Sequence, residues 1–127
     1  AAAPRYFDAI ASARCHAAAK RIEADLHLAR RHAQRNSTTQ RVVFDVSLDN
    51  YVLDGLPDMD HHEKNYSVSF AQTSYAADLT SADFGSTPII TFDHYGLPDN
   101  DGTVVVQYGN YTRTIKVNPV GGIKVTP

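Results

Sequence analysis

Nowhere in these 127 residues is there a run near the roughly 18 apolar residues that a membrane-crossing helix requires, and no signal-peptide pattern is present. There is one cysteine, Cys15, which excludes an intrachain disulfide framework and any four-cysteine zinc site. On a helical face among small residues, Cys15 reads as a buried, unreactive thiol. Internal repeats and low-complexity linkers are also missing. What remains is an ordinary globular composition, 43% hydrophobic and 20% charged, so disorder is not the default. The length accommodates one core but not two independent ones. The expected organisation is therefore one domain over 1–127, with a helix in 1–36 and a β region in 37–127.

Charge is unevenly distributed. Residues 1–36 carry seven basic and three acidic side chains, whereas the rest of the chain carries five basic and eleven acidic. A basic helix on an acidic sheet favours attraction within the molecule or between neighbouring copies. It argues against a nucleic-acid-binding sheet.

The Ala-rich segment from Pro4 to about Arg35 is strongly helical, and Pro4 suits a first turn, where its missing N–H costs nothing. Phe7, Ala11, Cys15, Ala18, Ile22, Leu26, Ala29 and Ala33 recur at three- and four-residue steps, which predicts a narrow apolar stripe packed on a sheet. Ile10, Ala17 and Leu28 form a second, weaker apolar line that would face neighbours in an assembly. Arg30, Arg31, His32 and Arg35 suit the negative end of the helix dipole, and Asn36 is the expected left-handed stop.

Beyond Asn36 the pattern changes to short strands. Arg41–Ser47 and Asn50–Leu53 read as a hairpin, followed by a polar loop over Gly55–Lys64. Tyr66–Phe70 and Tyr75–Leu79 are the next expected strands, with a loop over 80–88. Ile89–Asp93, Thr103–Tyr108, Tyr111–Val117 and Ile123–Val125 complete the set, with Gly109-Asn110 as a hairpin turn. The fold class is α+β: one long amphipathic helix on an antiparallel region of about six to eight short strands.

Several residues invite a chemical reading. Asp58, Asp60, His61, His62 and Glu63 form the densest group of metal-capable ligands, but their spacing lacks a paired His motif, so a solvated loop is expected. Asp99, Asn100 and Asp101 before Gly102 resemble a calcium loop without its alternation, and turn chemistry explains them. His16 and His27 share a helix face but lie about three turns apart, too far to share an ion. His94 follows Asp93 at a strand end. No serine or cysteine stands in a nucleophile setting, so neither catalysis nor a cofactor is expected. Arg113, Lys116 and Lys124 would make a small DNA-contacting patch, weak against the acidic surroundings.

The helix motif Asp25-Leu26-x-x-Ala29-Arg30-x-x-Ala33, followed by Val42-Val43-Phe44, resembles the GspH/FimT pseudopilin domain. So do Ile90-Thr91-Phe92-Asp93-x-x-Gly96-x-Pro98, Gly102-Thr103-Val104-Val105-Val106, Ile115-Lys116-Val117 and Gly122-Ile123-Lys124-Val125. Ala2-Ala3-Pro4-Arg5-Tyr6 is similar to the place where a pilin helix leaves the membrane. The resemblance spans nearly the whole chain except the acidic, His-containing loop around 55–64. It implies a non-catalytic subunit of a type II secretion pseudopilus or type IV pilus that assembles with other pilins. A basic leader, a glycine–phenylalanine cleavage point and some twenty apolar residues would precede Ala1. They would anchor the protein in the bacterial inner membrane with this domain in the periplasm. The soluble piece alone is expected to be monomeric. The rival readings are a DNA-binding minor pilin and a metal-binding α+β domain.

Overall fold

The computed structural model describes residues 3–57, 63–70 and 77–126. Helix α1 spans Ala3–Asn36. Eight strands follow: β1 (Gln40–Asp45), β2 (Asn50–Pro57), β3 (Asn65–Ser69), β4 (Asp78–Asp83), β5 (Ile89–Phe92), β6 (Gly102–Tyr108), β7 (Tyr111–Val117) and β8 (Ile123–Thr126). They form two four-stranded antiparallel sheets, ordered β3-β2-β1-β5 and β4-β6-β7-β8.

Alternation puts one face of each sheet in the core. Val42 and Phe44 of β1 lie opposite Leu53 and Tyr51 of β2, and all four are buried. In the second sheet Val104 faces Ile115 across β6 and β7, while Leu79 pairs with Val106. Phe44 joins the two halves, with its ring centroid 5.4 Å from Tyr51 and 5.9 Å from Phe84. Tyr51 in turn meets Phe70 edge-on at 5.9 Å.

The helix closes this core with small residues. Cys15, Ala18, Ala19, Ile22, Leu26, Ala29 and Ala33 are all buried. Short side chains let strand backbone come near: the Cys15 thiol lies 3.4 Å from the Tyr111 carbonyl. Ala11 is only partly covered. Phe7, expected on the packed stripe, is instead 65% exposed. The reason is reach. The β6–β7 hairpin turns at Gly109, beside Ala11, so the first turns of α1 run past the end of the sheet.

The helix stop also differs from expectation. Asn36 remains helical, and its side-chain amide donates to the His32 carbonyl at 3.0 Å. Ser37 takes the left-handed conformation (φ 49°), and the Thr38 N–H closes the end on the Ala33 carbonyl at 3.1 Å. With Asn36 busy capping a carbonyl, the next small residue makes the turn.

Two strands depart from the sequence pattern. Instead of ending at Leu53, β2 continues to Pro57 through an irregularity at Gly55 (φ 94°). The expected strand at Tyr75–Leu79 is instead β4 at Asp78–Asp83, in what read as a loop, and its expected start at 75–76 lies outside the described residues. Only Leu79 of β4 is buried, so this polar edge strand owes its form to pairing with β6 and not to any hydrophobic alternation.

Arg30 fastens the helix to the turn after β5, beside the β7–β8 turn. Its Nε donates to the Gly96 carbonyl at 2.9 Å, in the turn after β5, while Gln34 donates to the Tyr95 carbonyl at 3.0 Å. Gly121, in the β7–β8 turn, has φ 90° and sits so close that an added Cβ would be 2.6 Å from the Gly96 oxygen and 2.9 Å from Arg30 Nε.

Candidate functional site

The candidate site is the helix itself, because α1 has one face built into the core and another left open. A buried polar cluster sets its position on the first sheet. Asp25 is 5% exposed and accepts from Tyr51 Oη at 2.5 Å, Tyr66 Oη at 3.1 Å and Arg21 Nε at 3.1 Å. Arg21 Nη2 also donates to Tyr66 Oη at 2.6 Å. Burial, reinforced by the Asp25 charge, pushes the Tyr51 hydroxyl far above the ordinary tyrosine range, so it stays protonated as a donor. Burial likewise raises Tyr66. The sequence offered one signal for this cluster, the i,i+4 spacing of Arg21 and Asp25. Its tyrosine partners, 26 and 41 residues beyond Asp25, carried none.

Along the open face, Ile10 and Ala17 are half-buried, and Leu28 packs partly against the protein's own core. Two grooves flank this line. The first, of about 420 Å³, lies beside the β6–β7 turn and is lined by Phe7, Asp8, Ile10, Ala11, Arg14, Tyr108, Gly109, Asn110 and Tyr111. Arg14 donates to Tyr108 Oη at 2.9 Å while its guanidinium lies 5.6 Å from that ring's centroid. The second, of about 460 Å³, lies at the far end of the helix and is lined by Leu28, Arg31, His32, Arg35 and Asn36.

The residues considered for chemistry are dispersed. Asp58, Asp60, His61 and His62 lie outside the described residues, and Glu63 is exposed. Among the described residues no group of three or more His, Cys, Asp or Glu side chains could hold a metal ion. Asp93 and Asp99 serve turns: Asp93 Oδ1 accepts from the Tyr95 and Leu97 N–H groups, and Asp99 Oδ1 from Thr91 and Asn100. His94 is exposed against Tyr95, ring centroids 4.0 Å apart. The Cys15 thiol is raised by burial, partly offset by the Arg113 charge.

The three-cation patch is split. Arg113 points to the helix side, donating to Ser12 Oγ at 3.2 Å and to the Thr112 carbonyl at 2.9 Å. Lys116 and Lys124 are direct cross-strand partners, both exposed on the outer face of the second sheet. They line a groove of about 350 Å³ with Asp101, Thr103 and Asn118. Three positions along a strand reverse the face, so Arg113 and Lys116 cannot share one.

The family described as "Type II transport protein GspH" matches residues 18–121. No curated protein matches the sequence. Among solved structures, the type IV minor pilin FimU of Pseudomonas aeruginosa is similar in two crystal forms. The P21 form gives a TM-score of 0.66 at 15% identity, covering 89% of this chain and 88% of that one. The P65 form gives 0.62 at 16% identity, covering 88% and 92%. At such identity the likeness is one of fold: a long N-terminal helix on antiparallel sheets.

Proposed function

This chain belongs to the GspH family of type II transport proteins, and from that premise we propose that it is a non-catalytic minor pseudopilin, a structural subunit of a secretion pseudopilus or type IV pilus. Its working parts are surfaces. An apolar extension of α1 anchors the natural protein in the bacterial inner membrane, and the domain described above stands in the periplasm. The isolated domain is a monomer. Other pilins pack against the open face of the helix, where Ile10, Ala17 and Leu28 supply the apolar contacts.

The observation that carries this reading is the asymmetry of α1. At about 1.5 Å per residue, its 34 residues extend about 50 Å. Its first turns pass beyond the sheet with Phe7 exposed, while Cys15 to Ala33 hold the core. A helix that outruns its own domain at one end, with a half-covered apolar line beside its core face, suits an axial element packed among copies of its kind.

The experiment is assembly of the natural full-length protein carrying Ile10→Asp with Ala17→Asp. These side chains are preferred to Leu28, which also contributes to the protein's own core. The isolated double variant should stay folded, since both positions lie off the fully buried Cys15–Ala33 face, with a loss of about 1–2 kcal/mol for half-buried sites that thermal melting would read. Incorporation into filaments should fall sharply. Normal incorporation of a folded variant would refute the proposal.

A further inference from the structure

The groove at the far end of α1 differs from the rest of the surface in how its charges are left. Leu28, Arg31, His32 and Arg35 follow steps of three, one and three, which puts them on one helix face. Elsewhere the arginines are engaged. Arg14, Arg21, Arg30, Arg41 and Arg113 each donate to a side chain or a carbonyl. Arg31 and Arg35 are exposed and have no carboxylate within ion-pair distance among the described residues. Four residues apart, their like charges repel, and the helix dipole compensates only in part.

Between them stands His32. Nδ1 of His32 is the only buried side-chain nitrogen or oxygen without a hydrogen-bond partner among the described residues. A buried polar atom without a partner requires an explanation. Here the guanidinium groups of Arg31 and Arg35, the His32 ring and the apolar Leu28 line one groove of about 460 Å³, while His32 Nδ1 itself is closed to solvent.

We propose that this groove is a docking site for a carboxylate-bearing protein segment, supplied by the acidic β domain of a second copy of this chain in the filament. The inference rests on the filament reading above. Arginine forks match carboxylates in geometry and charge, and Leu28 gives an apolar floor for a neighbouring side chain. The complementary charge exists on this chain itself: after residue 36 it carries eleven acidic against five basic residues. A lipid phosphate is the wrong source, because Arg31 lies about 40 Å along the helix from Ala3, the end assigned to the membrane. Nucleic acid is disfavoured by the net charge of −2 and by the acidic domain beside the groove. The contact is heterologous, basic helix end on one subunit and acidic surface on the next, and so propagates along a filament.

The test uses the natural full-length protein in its bacterium, with a photoreactive benzoylphenylalanine in place of Asn36, which lines the groove and leaves both arginines intact. A second probe replaces Ala17 on the open helix face. Residue-level mapping of the Asn36 adduct should find an acidic segment of a second copy of this chain; an adduct only to a different protein would overturn the assignment. Arg31→Glu with Arg35→Glu should lower that yield by about tenfold, the loss expected for one charge-assisted contact. Reversing the mapped carboxylates to lysine should restore it. Arg31→Gln with Arg35→Gln provides the milder variant should the double reversal fail to fold. Adducts at Ala17 but none at Asn36, or Asn36 adducts only to lipid or nucleic acid, would overturn the docking site and leave the filament reading standing. No adduct at either position, with the protein absent from the membrane fraction, would overturn both.

Discussion

Replacing Asp25 by alanine should loosen the helix from the first sheet, and its size follows from the geometry. Asp25 accepts three hydrogen bonds, from Tyr51, Tyr66 and Arg21. Tyr51 is buried, so its hydroxyl would lose the carboxylate it donates to with no solvent to replace it, at a cost of about 1–3 kcal/mol. Tyr66 keeps its bond from Arg21 Nη2 and loses less. The Arg21 side chain is 36% exposed and can hydrate, so the ion pair itself is discounted to about 0–1 kcal/mol. Removing the buried carboxylate also relieves its own desolvation. The expected net loss is about 2–3 kcal/mol, a large fraction of an ordinary domain's stability. Urea unfolding of wild type, Asp25→Ala, Tyr51→Phe and the double variant measures it. The double variant should lose about 1 kcal/mol less than the sum of the singles, because the two residues share one bond. A loss under about 0.5 kcal/mol for Asp25→Ala, or strict additivity, would refute the assignment.

Gly121→Ala should cost about 2 kcal/mol or more, since it combines a left-handed backbone with a clash on the Gly96 oxygen; Gly55→Ala, with φ 94° but open space around it, should cost only about 1 kcal/mol. Equal losses in thermal melts would remove the Arg30–Gly96–Gly121 junction as the reason. Tyr51 supplies a pH signature. Its hydroxyl is raised in the folded state, so its stabilising contribution is intact below about pH 10, where the unfolded tyrosine begins to ionise, and is lost as pH rises beyond it. The stability gap between wild type and Tyr51→Phe should shrink by about 1.4 kcal/mol per pH unit there, and parallel curves would contradict it. Cys15, buried with its pKa raised, should react with a thiol reagent only as fast as the protein unfolds. Rapid labelling of the native protein would disprove that packing.

The parts of the fold that follow a period were readable. Seven-residue strands such as β7 alternate, and the Cys15–Ala33 stripe recurs at helical steps. One motif glycine also has a physical reading: Gly96 offers its carbonyl to Arg30, and Gly121 packs closely beside that junction. What did not show was set by distance in sequence. β4 is polar and exists through its partner, Phe7 is exposed because a hairpin elsewhere ends early, and Asp25 is buried because two tyrosines from other strands reach it. Ala19 is fully buried yet stands outside the predicted stripe, since alanine carries too little hydrophobic contrast to mark a face. The separation of Arg113 from Lys116, by contrast, follows from strand parity alone and is legible in the sequence.

The most direct test of the central claim is where the natural full-length protein resides. Membranes of the source bacterium would be washed in carbonate, and surface or periplasmic filaments isolated separately, with the protein followed by antibody in both. A structural pseudopilin stays with the washed membrane and co-purifies with filaments containing other pilins. Release into the soluble fraction, with none in the filaments, would contradict the account.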